Sequence, residues 1–116
     1  MQTWDISALD VDRHHPEVLS SDEEGRAIVL ELPAGERLAE HQVLERAWLV
    51  VISGAVEITG PNGEEVSGGV GLLATFEPAE RHEVAATADA RLLLVLSPWP
   101  GEGHPSNAAR SEPNPG

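Results

Sequence analysis

The sequence predicts an all-β domain, a sandwich or barrel of short strands. Three observations carry this expectation. Short apolar runs rich in Val, Ile and Leu recur along the middle of the chain. Gly- and Pro-containing turns separate them at roughly 8–12 residues, the spacing of sandwiches and barrels. No segment carries the apolar period of an amphipathic helix.

The elements follow in order. Residues 17–19 read as a weak first strand. Residues 26–32 (Arg-Ala-Ile-Val-Leu-Glu-Leu) are apolar and β-branched, and Pro33-Ala34-Gly35 ends them. A weaker strand fits residues 36–42. Residues 46–53 (Arg-Ala-Trp-Leu-Val-Val-Ile-Ser) are the strongest run. Residues 55–59 alternate, with Val56 and Ile58 on one face and Glu57 on the other. Gly60-Pro61-Asn62-Gly63 is a turn, because Pro presets its φ and Asn-Gly tolerates positive φ. Residues 65–67, 71–75 and 82–86 are short strand candidates, with Gly68-Gly69 marking a turn. Residues 91–96 (Arg-Leu-Leu-Leu-Val-Leu) close the set, giving about nine strands.

Two runs, residues 48–52 and 92–96, are apolar on both faces. A strand buried on both sides needs cover on both sides. One face can fill the interior. The other requires the N-terminal segment, a facing sheet or a second subunit, and a homodimer is the simplest answer for so short a chain. The expected layout is an N-terminal segment (1–25) packed on a barrel (26–100), followed by a loose tail (101–116) rich in Gly, Pro, Ser and Asn. That tail has too little apolar surface to offset its ordering entropy.

Composition removes whole classes of function. The chain has 116 residues, enough for one domain. Cysteine is absent, which excludes disulfides, thiolate metal sites and cysteine nucleophiles. All seven basic residues are Arg, which excludes Schiff-base chemistry and a Walker-type lysine. The net charge of -13 repels phosphate backbones, so neither nucleic acid nor an anionic membrane is expected as a partner. No run is long enough for a membrane-spanning helix and the start lacks a secretory pattern, so a cytoplasmic location is the expectation. No Gly-x-Ser-x-Gly elbow and no phosphate-binding loop is present.

From Gly35 onward the sequence resembles a cupin. The first cupin motif runs Gly, five residues, His, one, His, three or four, Glu, six, Gly. Here Gly35 and His41 are in register, Val43 stands at the second His, Ala47 at the Glu, and Gly54 closes the motif. The second motif runs Gly, five, Pro, one, Gly, two, His, three, Asn. Gly71 and His82 are in register, while Glu77, Ala79 and Ala86 stand at the Pro, Gly and Asn positions. The resemblance covers roughly residues 26–100. It implies a double-stranded β-helix, a jelly-roll barrel with a ligand pocket at one open end, and pairing as homodimers.

In a typical cupin three His and one Glu hold a divalent transition metal. Only His41 and His82 match those positions, and Val43 and Ala47 cannot coordinate. A catalytic metal needs about three protein ligands. Strand parity offers Glu45 as a third, on the face of His41 and Val43 if the strand stays regular; Glu80 is the second carboxylate candidate. Arg81, beside His82, can anchor an acidic ligand in bidentate fashion or pair with a surface carboxylate. Trp48 has the opposite parity to Val43 and Ala47, which favours the outer face. His14, His15 and His104 read as solvated, and Trp99 as a pin for the C-terminal segment.

Three functions follow from these residues. The first is a small-molecule binder whose pocket (His41, Val43, Ala47, Arg81, His82) lacks a full metal site and is drier for it. The second is a metal-dependent oxygenase or isomerase using His41, His82 and a carboxylate. The third is a dimeric interaction module with a packed interior.

Overall fold

A computed structural model describes residues 1–13, 15–41 and 45–98, with the backbone alone at residues 39–41. It contains seven strands among those residues: β1 (Glu17–Asp22), β2 (Gly25–Leu32), β3 (Arg37–His41), β4 (Arg46–Thr59), β5 (Glu65–Gly69), β6 (Leu73–Phe76) and β7 (His82–Ser97). No helix among them is long and apolar enough to cross a membrane. Val43, His14, Trp99, His104 and the predicted tail lie outside the described residues.

Seven strands replace the nine expected because two pairs are continuous. Residues 46–53 and 55–59 form one strand, β4, and residues 82–86 and 91–96 form another, β7. These two pair antiparallel along their length, from Arg46↔Ser97 to Thr59↔Glu83. Each is then shared by two half-sheets. In one half, β1, β2, β7, β4 and β6 lie side by side, through Leu30↔Leu92, Leu49↔Leu94 and Leu49↔Ala74. In the other the order is β3, β7, β4, β5, through Leu38↔Val84, Ile58↔Val84 and Ile58↔Val66.

The change of half-sheet occurs at Gly54. The β4–β7 register slips between Val51 and Val56. On the near side odd residues of β4 are buried (Ala47, Leu49, Val51), and beyond it even ones are (Val56, Ile58). On β7 the buried parity never changes, from His82, Val84 and Ala86 to Ala90, Leu92 and Leu96. The register shifts at three places here, so that β4 advances five residues (Val51 to Val56) while β7 advances six (Leu92 to Ala86), and this odd difference switches the buried parity of β4. Gly54 has φ +81 and lies so close to β7 that a Cβ there would stand 1.9 Å from the Asp89 carbonyl oxygen. Glycine is required twice over, for its conformation and for its lack of a side chain.

The buried residues of both half-sheets form one cluster, in which Leu30, Leu32, Leu49 and Leu92 meet Val56, Ile58, Phe76 and Val84. Dense apolar packing of this kind is the main favourable term in folding. The chain therefore has the predicted jelly-roll architecture, but the sheet does not close into a ring. The pairing path ends at β1 and at β5, with β3 and β6 attached to the two long strands. Among the described residues β5 and β6 pair only with β4, on opposite sides of its bend.

The outer face of the first half-sheet is also apolar. Trp48 and Val50 alternate with buried Leu49 and Val51, and stand opposite Val95 and Leu93. Cover on this face is uneven. Val29, opposite Leu93, is fully buried, whereas Leu73, opposite Val50, is 57% exposed. The N-terminal segment supplies cover on the β2 side. Arg91 pairs with Glu31 through its Nε and donates from Nη1 to the Ile6 carbonyl at 2.9 Å. Val11 is buried in the same segment.

The bend makes a direct prediction. Gly54→Ala should cost about 2–4 kcal/mol, combining left-handed strain with a backbone collision. Gly35→Ala has φ +86 and no neighbour within 4 Å of its new Cβ, so it should cost only the conformational part, about 1 kcal/mol. Chemical denaturation of the two variants checks this, and equal losses would contradict the assigned role of Gly54.

Candidate functional site

The site is built where β6 and β7 are joined. Glu77, Pro78, Ala79 and Glu80 make the connection, closed by the Glu80 N–H donating to the Glu77 carbonyl at 3.0 Å. Pro78 suits the second position of a type II turn, and the third requires positive φ. Ala79 occupies it with φ 66, the non-glycine residue among those described that does so. The position that the cupin motif gives to Gly thus keeps the glycine conformation under an alanine, at a strain of about 1–2 kcal/mol. Glu80 reinforces the turn, since its Oε1 accepts the Glu77 N–H at 2.9 Å. Arg46 clamps the turn from β4, with Nη1 and Nη2 at 2.6 and 3.0 Å from the two Glu77 oxygens. The hydrogen bonds from Arg46, and then its charge, hold the Glu77 carboxyl below the usual carboxylate range.

This turn delivers His82 into the interior. It is the buried polar side chain of the described core, 5% exposed. Its imidazole stacks on the Phe76 ring, with centroids 3.8 Å apart and planes within 6°. Its Nδ1 lies 3.3 Å from the Glu80 carbonyl oxygen. Phe76 belongs to the first half-sheet and the start of β7 to the second, so the stack bridges the two. Ala47 is the Cα partner of Phe76 and is 1% exposed. An alanine at this position leaves the interior volume beside Phe76 that a Glu side chain would otherwise enter.

The remaining predicted site residues divide. The backbone of β3 pairs His41 directly with His82, after a register shift from Leu38. The His41 side chain, like Val43, lies outside the described residues. Glu45 lies between β3, which ends at His41, and β4, which begins at Arg46. Its Oε2 accepts from Arg26 Nη2 at 2.8 Å. Glu80 serves the turn, and Glu83 pairs with Arg37 at 3.0 Å. Arg81 is exposed. Trp48 lies half-buried opposite Val95, on the outer face expected from its parity.

Among the described residues the donors of a three-ligand metal site are not brought together. Ala47 and Ala86 are buried and offer no ligand atom. Glu45 is engaged elsewhere, and among the described residues no group of three or more His, Asp or Glu is placed to hold an ion. The His82 ring presents one face to Phe76.

A cavity of about 280 Å³ opens on another side of Phe76. It occupies the gap between the edges of β5 and β6, where the sheet fails to close. Ile58, Val66, Leu72 and Phe76 line it, with Glu64 and Glu80 among the same lining residues. His82 is not part of this lining, and Phe76 is the link between the two. Sequence reasoning passed over Phe76, although it is the single Phe of the chain and lies inside the second motif.

The sequence matches no protein-family model and no curated protein. Solved structures give the comparison. The chain is similar to an RmlC-like cupin protein from Desulfovibrio desulfuricans, with a TM-score of 0.72 at 20% identity, over 84% of this chain and 96% of that one. A protein with a double-stranded β-helix domain from Klebsiella pneumoniae aligns with a TM-score of 0.72 at 18% identity, over 86% and 92%. A cupin superfamily protein from Desulfitobacterium hafniense gives 0.71 at 12% identity, over 79% and 85%. The chain has the cupin fold, a double-stranded β-helix in which all described elements are strands.

Proposed function

We propose that this chain is a small-molecule-binding cupin that works without a resident transition metal. The observation that carries the reading is the Phe76–His82 stack. It sets the motif histidine against an aromatic ring, and Phe76 in turn borders the cavity. Ala47 and Ala86, at two of the motif's polar positions, leave the same region apolar. Apolar concavities with few polar groups are the usual form of small-ligand sites. The test combines elemental analysis of untagged protein with thermal unfolding against a panel of small apolar ligands. The expected result is no stoichiometric metal and a raised midpoint with at least one ligand. A ligand at a hundred times its Kd stabilises by about 2.7 kcal/mol. Stoichiometric iron, manganese, zinc or nickel that disappears in a His41→Ala/His82→Ala variant would overturn the reading in favour of a metal-dependent enzyme.

We further infer that the protein acts as a homodimer through the outer face of β4, β6 and β7. Trp48, Val50, Leu93 and Val95 are only half-buried there and Leu73 is exposed, beyond the cover that the N-terminal segment gives Val29. The middle of this face is neutral, and Arg46 and Arg91 at its margins are paired with Glu77 and Glu31, so in a molecule of net charge -13 two copies can approach through it with least repulsion. Sedimentation at micromolar concentration should give a dimer that Leu73→Glu weakens. A monomer across that range contradicts the inference.

A further inference from the structure

We propose that the cavity between β5 and β6 selects small lipophilic cations, an ammonium or amidinium group carried on a compact apolar body. This inference rests on the reading of the cavity as a ligand site and adds the chemical class of its ligand.

Size sets the first limit. A volume of about 280 Å³ equals the liquid volume of about nine waters. That accommodates a fragment-sized molecule and excludes a folded partner. The walls set the second. Ile58 and Val66 come from one half-sheet, Leu72 and Phe76 from the other, so an apolar body is contacted from both.

Charge sets the third. The two ionisable side chains of the lining are Glu64 and Glu80, and no basic side chain lines the cavity. They come from separate turns. Glu64 follows the turn into β5, where the Gly60 N–H donates to its carbonyl at 2.9 Å. Its Oε1 faces the Asn62 N–H at 3.5 Å. Glu80 uses its Oε1 for the Glu77 N–H. In both, Oε2 accepts from no described residue. A carboxylate has about four lone-pair sites, so each keeps capacity for a charged donor. Arg46 is bound through two bonds to Glu77, Arg81 next to Glu80 is exposed, and neither belongs to the lining. A cationic ligand would therefore gain charge-assisted hydrogen bonds at the rim while its body is removed from water. An anion would meet two carboxylates, and a neutral ligand would gain only the apolar contact.

The experiment uses three probes of nearly one shape on the full chain: cyclohexylmethylamine, cyclohexylmethanol and cyclohexanecarboxylate. Binding is followed by amide chemical shifts of the lining residues. The amine should bind about tenfold more tightly than the alcohol, and the carboxylate should not bind. In a Glu64→Gln/Glu80→Gln variant, which preserves both turn acceptors, the amine should fall to the level of the alcohol. The amine's advantage should also shrink with added salt, because the rim is solvent-accessible. Equal or better binding of the alcohol, or an amine advantage that survives in the double variant, overturns the charge selection while the ligand site stands. No shift of the lining residues with any probe removes the ligand site itself.

Discussion

The close approach of Gly54 to the backbone of Asp89 and Ala90 is the constraint on which the molecule depends. It lets β4 pass from one half-sheet to the other while staying paired with β7 on both sides of the bend. It also reverses the buried parity of β4, so that Val51 and Val56 both face the single core. Without that reversal one half of β4 would turn its apolar set to solvent. β5 and β6 pair with β4 on opposite sides of this irregular stretch, and the cavity lies between them.

The second consequence lies at the far end of the core. Two strand systems that do not pair with each other, β6 and the start of β7, are coupled by a four-residue turn and an aromatic stack. The turn is held by Glu80 from within and by Arg46 from outside, and it tolerates a left-handed alanine. Stacked pairs of this kind contribute about 0.5–1.5 kcal/mol beyond area burial. Their larger effect here is chemical. In the proposed reading this histidine forms part of a hydrophobic wall with Phe76 and the nearby alanines.

Much of this was legible in the sequence. The Val-, Ile- and Leu-rich runs gave the strands because period and composition are local properties. Turn chemistry was legible too: Gly63 takes φ 80 where Asn-Gly required it, and Gly35 and Gly71 are left-handed at the positions the motif reserves for Gly. Gly54 was read as a break between strands, because a bulge and a turn use the same residue and differ only in what lies across the sheet. The run 87–90 carries no strand pattern of its own, since Thr87, Ala88 and Asp89 are exposed, yet β7 runs through it on partners distant in sequence. For the site, the position of His82 followed from the second motif, and it is buried in line with Val84 and Ala86. The loss of Glu45 to Arg26 did not, because a pair 19 residues apart leaves no mark on either local pattern. Nor did the cavity, which arises from the failure of two edges to meet.

The proposed function puts His82 in an apolar wall and not in a metal centre. Proton NMR of the His82 ring in the full chain tests it most directly. Stacking on Phe76 predicts ring-proton signals displaced upfield, restored toward ordinary values by Phe76→Leu, and unchanged by one equivalent of Mn²⁺. Ring signals at ordinary positions that broaden away with the first equivalent of Mn²⁺ would contradict it.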